Sequence, residues 1–240
     1  MPSKLIKIIV FLGILNKQKF IRTLAKIEYG NAIFCDKLAH IAIQENRLEL
    51  AKLLKTHGNE ENKHGNMLAS LADGCDRISR VGTGRWVKIF RGEENIVKND
   101  IPSSNLKVIE WDSINFPGEK LTGLLENFDG MSYRFVSSRL LFKGQTAFDY
   151  SWEDKLAFMY VLEEEVAALY QELVDADDPK LSAIALQITG DELNHANYLK
   201  LVLADFAPLP QAAIDKWRHR VWWAKWGLIV DGIQFLWRKY

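Results

Sequence analysis

Asp191-Glu192-Leu193-Asn194-His195 and Glu60-Glu61-Asn62-Lys63-His64 are two copies of one local pattern, an acid followed by Glu-x-x-His. Each falls inside a long segment of helical periodicity, at 180–206 and 46–75. On a helix, residues three apart lie on one face about a turn from each other. Glu and His at that spacing can both reach one metal ion. Imidazole with carboxylate suits iron or manganese better than calcium or magnesium. Two such segments predict a helical protein built around a metal centre.

Working outward, 17–43 reads as a helix with Phe20, Leu24, Ala25, Ala32 and Cys35 near one side. The 46–75 helix carries Leu50, Leu53, Leu54, Met67, Leu68 and Leu71. Gly58 and Gly65 lie inside it at a cost of ~1 kcal/mol each relative to Ala. That cost implies close packing or room for a ligand. Ser151 starts a helix over 152–176, with Asp154 three residues later in a capping-box-like pattern. DADDPK ends that helix, APLP ends the next, and a Trp-rich helix fills 211–240. The six prolines, at 2, 102, 117, 179, 208 and 210, leave long Pro-free tracts between them. Residues 78–118 are rich in turn and β-branched residues and read as having little regular structure, with one or two short helices in 119–148. The whole of 78–150 is then a crossover. Helix pair, crossover, helix pair predicts one all-α domain over 1–240. Its expected form is a ferritin-like four-helix bundle with a crossover insertion and extra N- and C-terminal helices.

Composition narrows the partners. Lys plus Arg and Asp plus Glu are both 31, so the formal net charge is zero, which argues against a general nucleic-acid binder. Both ends are nonetheless basic. Residues 1–26 hold six Lys/Arg and no acid, and 211–240 hold six against two Asp. Only Cys35 and Cys75 are present, which excludes a disulfide scaffold and a Cys-rich zinc site and fits a reducing, cytoplasmic setting. Leu5 to Leu15, LIKIIVFLGIL, is about half the ~20 residues of a membrane span. No small-residue cleavage site follows it, so it reads as a buried or interfacial helix. Trp217, Trp222, Trp223 and Trp226 interleave with Arg and Lys. That pattern suits a peripheral membrane surface, or a helix packed on its own protein or at a dimer interface.

A dinuclear site on four helices needs one further Glu from each remaining helix. Glu28 is the only Glu before Glu45, and it sits between Leu24, Ala32 and Cys35. A lone carboxylate on or beside an apolar face is costly unless paired or metal-bound. In 152–176, Leu156, Met159, Val166, Tyr170 and Leu173 form the apolar stripe. Glu163 falls on that stripe; Glu164, the second choice, and Glu165 fall beside it.

Glu28, Glu61-x-x-His64, Glu163 and Glu192-x-x-His195 resemble the carboxylate-bridged di-iron proteins of the ferritin-like superfamily, rubrerythrins and aldehyde-deformylating oxygenases among them. The resemblance covers about 28–75 and 152–206. It implies that Glu61 and Glu192 bridge two metals and act in catalysis. Glu28 with His64, and Glu163 with His195, would each serve one metal. It also implies that Asp191 accepts a hydrogen bond from His64 and Glu60 one from His195, as outer partners do. The remaining candidates are read more plainly. His57 is a packed or solvated histidine, with extension of the site as the alternative, and His40 and His219 are unrelated. Tyr160 and Tyr170 are core residues, Tyr29 could lie near the metals, and Cys35 is a buried apolar thiol.

The expected protein is a non-haem di-iron oxidoreductase, Fe/Fe or Mn/Fe, that activates O₂ or peroxide. The long crossover and tail favour an oxygenase with a lipophilic substrate, peripheral on a membrane, monomeric or homodimeric. The alternative is a ferroxidase or peroxide scavenger with no organic substrate. No flavin or nicotinamide motif is present, so reductive turnover requires an electron-donor protein.

Overall fold

A computed structural model of the chain describes residues 4–72, 77–80, 86–89, 141–143, 145 and 147–237. These residues are helical apart from one short ribbon: α1 (Lys4–Ile14), α2 (Lys17–Gln44), α3 (Leu48–Leu71), β1 (Arg77–Arg80), β2 (Trp86–Ile89), α4 (Trp152–Val174), α5 (Pro179–Phe206) and α6 (Pro210–Trp237). The chain forms two compact units. One is Gln18–Asn115; the other joins Met1–Lys17 to Phe116–Tyr240.

In the first unit, α2 and α3 make a helical hairpin. Asn46 sits in the left-handed region at φ 58, where its short polar side chain is tolerated. The Asn46 N–H bonds Ile43 O at 3.0 Å and the Arg47 N–H bonds Ala42 O at 2.8 Å, which is the Schellman closure of a helix end. Gly58 and Gly65 mark where α2 comes close to α3. A methyl at Gly58 would stand 3.0 Å from Ala32 O, and one at Gly65 only 2.5 Å from the Tyr29 ring. Close packing is therefore the reason for both glycines. The crossover departs from expectation. Instead of irregular chain throughout, it holds an antiparallel ribbon with Arg77 opposite Ile89 and Arg80 opposite Trp86. Ile78, Val87 and Ile89 supply strand propensity. The short helices expected in 119–148 fall outside the described residues, except for a 3₁₀ turn at Ala147–Asp149.

In the second unit, α5 packs along α4, while α6 and α1 also pack on α4. Ser151 Oγ accepts the Asp154 N–H at 3.2 Å, the serine half of a capping box. The Asp154 carboxylate takes a different partner from the reciprocal one: it accepts Trp217 Nε1 at 2.8 Å and pairs with Lys216. Asp178 caps α5 through the N–H groups of Lys180 and Leu181, with Pro179 opening the helix. On α6, Ile214, Trp217, Val221 and Ala224 are buried, and Phe142, Tyr150 and Phe158 surround the Trp217 ring. Trp222, Trp223 and Trp226 remain exposed. The C-terminal helix thus packs on protein along one side and presents tryptophan on another. Among the described residues, no helix is long and apolar enough to cross a membrane.

Two glycines on helices should respond oppositely to one substitution. Gly65→Ala forces a methyl into the Tyr29 ring, and overpacking of that kind costs ~1–3 kcal/mol. A methyl at Gly190 meets nothing within 4 Å, so Gly190→Ala should gain ~0.5–1 kcal/mol of helix propensity. Urea denaturation of the two variants should move the midpoint down and up respectively.

Candidate metal centre

Helix α3 carries three ionisable residues on one face. His57, Glu61 and His64 lie one turn apart in succession, and all are buried. The Glu61 carboxylate divides between the two rings. Oε1 stands 2.9 Å from His57 Nε2 and Oε2 stands 3.9 Å from His64 Nδ1. On α2, Glu28 is fully buried, and Tyr29 beside it donates its hydroxyl to Asn66 Oδ1 at 3.0 Å.

The Glu triplet of α4 separates by partner. Glu163 is buried, with Oε2 3.9 Å from His195 Nδ1. Glu164 accepts the Tyr160 hydroxyl at 2.6 Å and Arg218 Nη2 at 2.7 Å. Glu165 accepts Lys225 Nζ at 2.7 Å. On α5, Glu192 is fully buried and its Oε2 lies 3.1 Å from His195 Nδ1.

These side chains form two buried groups that could each hold a metal ion. One is Glu28, Glu61, His64 and Glu192; the other is His57, Glu61, Glu163 and His195. In each group the ligand atoms lie within 4.8 Å of one another. Two donors bound to one ion at ~2.1 Å lie at most ~4.2 Å apart, so the groups are near ligating size. Carboxylate and imidazole donors without thiolate can hold a first-row transition-metal ion. All six residues expected as ligands fall in these groups. Glu60 is exposed and Asp191 half-buried; both were expected beside the histidines rather than as ligands, and neither is in the two groups.

His57 is the residue the sequence reading undervalued. Counted from His64 it is seven residues away, but counted from Glu61 it is four, which puts it on the ligand face. Burial opposes its charge, yet Cys35 and Glu61, by hydrogen bonding and by charge, outweigh that and push its pKa up to about 9. Cys35 is therefore a neighbour of His57 as well as a core residue. Burial, then the bond to Glu164, pushes Tyr160 up to about 12, which keeps the phenol protonated. His40 and His219 are exposed, and Trp223 Nε1 donates to His219 Nε2. No protein-family model, curated protein or solved structure matches this chain.

Four buried carboxylates gain most from a cation. Anaerobic Fe(II) or Mn(II) at a hundredfold excess over Kd should stabilise the fold by ~2.7 kcal/mol. That corresponds to a rise in Tm of roughly 5–10 °C. Differential scanning fluorimetry with a chelator chase checks it, and equal amounts of Mg(II) should shift Tm much less.

Proposed function

We propose that this chain is a non-haem di-iron oxidoreductase that activates O₂ or peroxide, with α2, α3, α4 and α5 as a ferritin-like four-helix bundle. The observation that carries the reading is the pair of buried His/Glu groups sharing Glu61. Glu28 and His64 would hold one iron and Glu163 and His195 the other, with Glu61 and Glu192 shared between them. An Mn/Fe pair is the variant with the same donors. When bound, the metal pair supplies the redox step on O₂ or peroxide. The chain's own residues do the rest. The carboxylates balance the ions' charge, the imidazoles fix their positions, and burial keeps water from the site.

The choice between oxygenase and iron handling turns on the spare acids. A ferroxidase passes iron inward along open carboxylates. Glu164 and Glu165, next to Glu163 on α4, are instead held by Arg218 and Lys225 of α6. That arrangement supports turnover on an organic substrate over iron traffic. Electrons for reductive turnover come from a donor protein.

Purified protein loaded with Fe(II) without oxygen should hold two ions per chain and oxidise them on mixing with O₂. Glu61→Ala should lose most of both ions. Glu163→Ala should lose one, while Glu165→Gln, which keeps the Lys225 hydrogen bond, should leave occupancy and O₂ reactivity near normal. A wild-type chain that holds one ion or none sinks the reading.

Peripheral lipid contact belongs to the same proposal, with a changed balance of forces. Trp222, Trp223 and Trp226 form an exposed cluster, with the Trp222 ring centroid 4.8 Å from that of Trp223 and 6.1 Å from that of Trp226. On α1, Ile8, Phe11 and Ile14 are exposed as well. Several nearby bases are already paired, Lys7 with Glu172, Lys17 with Asp178 and Lys216 with Asp154. Insertion of tryptophan, rather than charge, then dominates. Brominated-lipid quenching of Trp fluorescence should be seen on vesicles and change little between low and moderate salt. Unquenched fluorescence would leave this face without a lipid role.

A further inference from the structure

We infer that His57 is a seventh metal ligand, giving the ion beside Glu163 and His195 a second imidazole, so that the two metal positions are chemically unlike. This rests on the di-metal reading above and extends it to a residue that the Glu-x-x-His pattern leaves out.

His57-Gly58 and His64-Gly65 repeat the same dipeptide seven residues apart, with Glu61 between them. Seven residues are close to two full turns, so both rings project to one side of the helix. Glu61 presents a different oxygen to each ring, Oε1 to His57 and Oε2 to His64. A carboxylate that bridges two ions gives one oxygen to each ion. The histidine beside each oxygen then belongs with that oxygen's ion.

The composition of the two groups agrees. Around Glu28 the four donors are three carboxylates and one imidazole, His64. Around Glu163 they are two carboxylates and two imidazoles, with His57 occupying the fourth place. His57 is 1% exposed, so its ring nitrogen has no bulk water to turn to. A merely structural His57 would stay a hydrogen-bond donor to Glu61 Oε1 and contribute nothing to the ion.

Co(II) bound anaerobically to the full chain separates these cases. In the wild type, two Co(II) per chain and three paramagnetically shifted imidazole N–H signals in the proton NMR spectrum are expected. In His57→Gln, one shifted signal should vanish and one ion should bind at least tenfold more weakly, with the other ion unaffected. In His57→Gly, added imidazole should restore the second ion and the visible Co(II) band. Two ions with only two shifted signals in the wild type, or two ions bound as tightly in His57→Gln as in the wild type, overturns the ligand role and leaves the di-metal reading standing. A wild type that binds fewer than two ions overturns both. The signal count is read on the unaltered chain, so a variant that fails to fold does not remove the test.

Discussion

Burial of four carboxylates is the constraint on which the rest of the structure depends. Glu28, Glu61 and Glu192 are wholly inaccessible, and Glu163 is 2% exposed. Moving even one ionised carboxylate out of water costs several kcal/mol after relaxation. Three buried histidines can offset part of that only by becoming charged themselves. Two divalent ions would carry four positive charges, cancel the four carboxylates and leave the histidines neutral, the form in which they ligate. On the proposed di-metal reading, charge balance favours a pair of ions over one.

The same constraint explains the basic tail. Glu163, Glu164 and Glu165 are consecutive on α4, and only one of them is buried. Arg218 and Lys225 of α6 take up the other two, and Trp217 and Lys216 take Asp154. Lys225 is itself 5% exposed, so its pairing with Glu165 is a condition of its burial. Three of the six Lys and Arg residues of 211–240 are thus paired with acids of α4.

Much of the helical layout was legible because its signals are local. Capping by Ser151, the Pro-free tracts and the 3.6-residue stripes each act within a few residues, and the helix ends fall within a few residues of where those signals put them. The Glu triplet was legible by phase, since Glu163 lies on the stripe of Leu156, Met159 and Tyr170. What was missed depends on side-chain orientation or on partners distant in sequence. The four-residue spacing puts Glu61 within reach of His57 but does not say that one carboxylate oxygen turns toward it. Nothing near Asp154 shows that Trp217, 63 residues on, would displace the reciprocal half of the capping box. The ribbon at 77–89 was missed for another reason. Its β-branched residues were noted, but strand pairing depends on a partner strand, and short strands flanked by glycine resemble loop.

The glycines of α3 tie the fold of one helical hairpin to the chemistry proposed for it. A 24-residue helix that accepts Gly58 and Gly65 gives up ~1 kcal/mol at each. In return α2 approaches until Ala32 O stands 3.0 Å from where a methyl at Gly58 would sit, and the Tyr29 ring occupies the space over Gly65. Those two contacts bracket Glu61 along α3, and Tyr29 is the immediate neighbour of Glu28 on α2. The Glu28 carboxylate lies within 4.8 Å of the ligand atoms of Glu61 and His64. A methyl at 58 would press on Ala32 O and Cys35 Cβ, and one at 65 would have to displace the Tyr29 ring. Each glycine follows directly after a histidine of the ligand face, so the residue that would donate to an ion and the residue that permits the approach are adjacent in the chain.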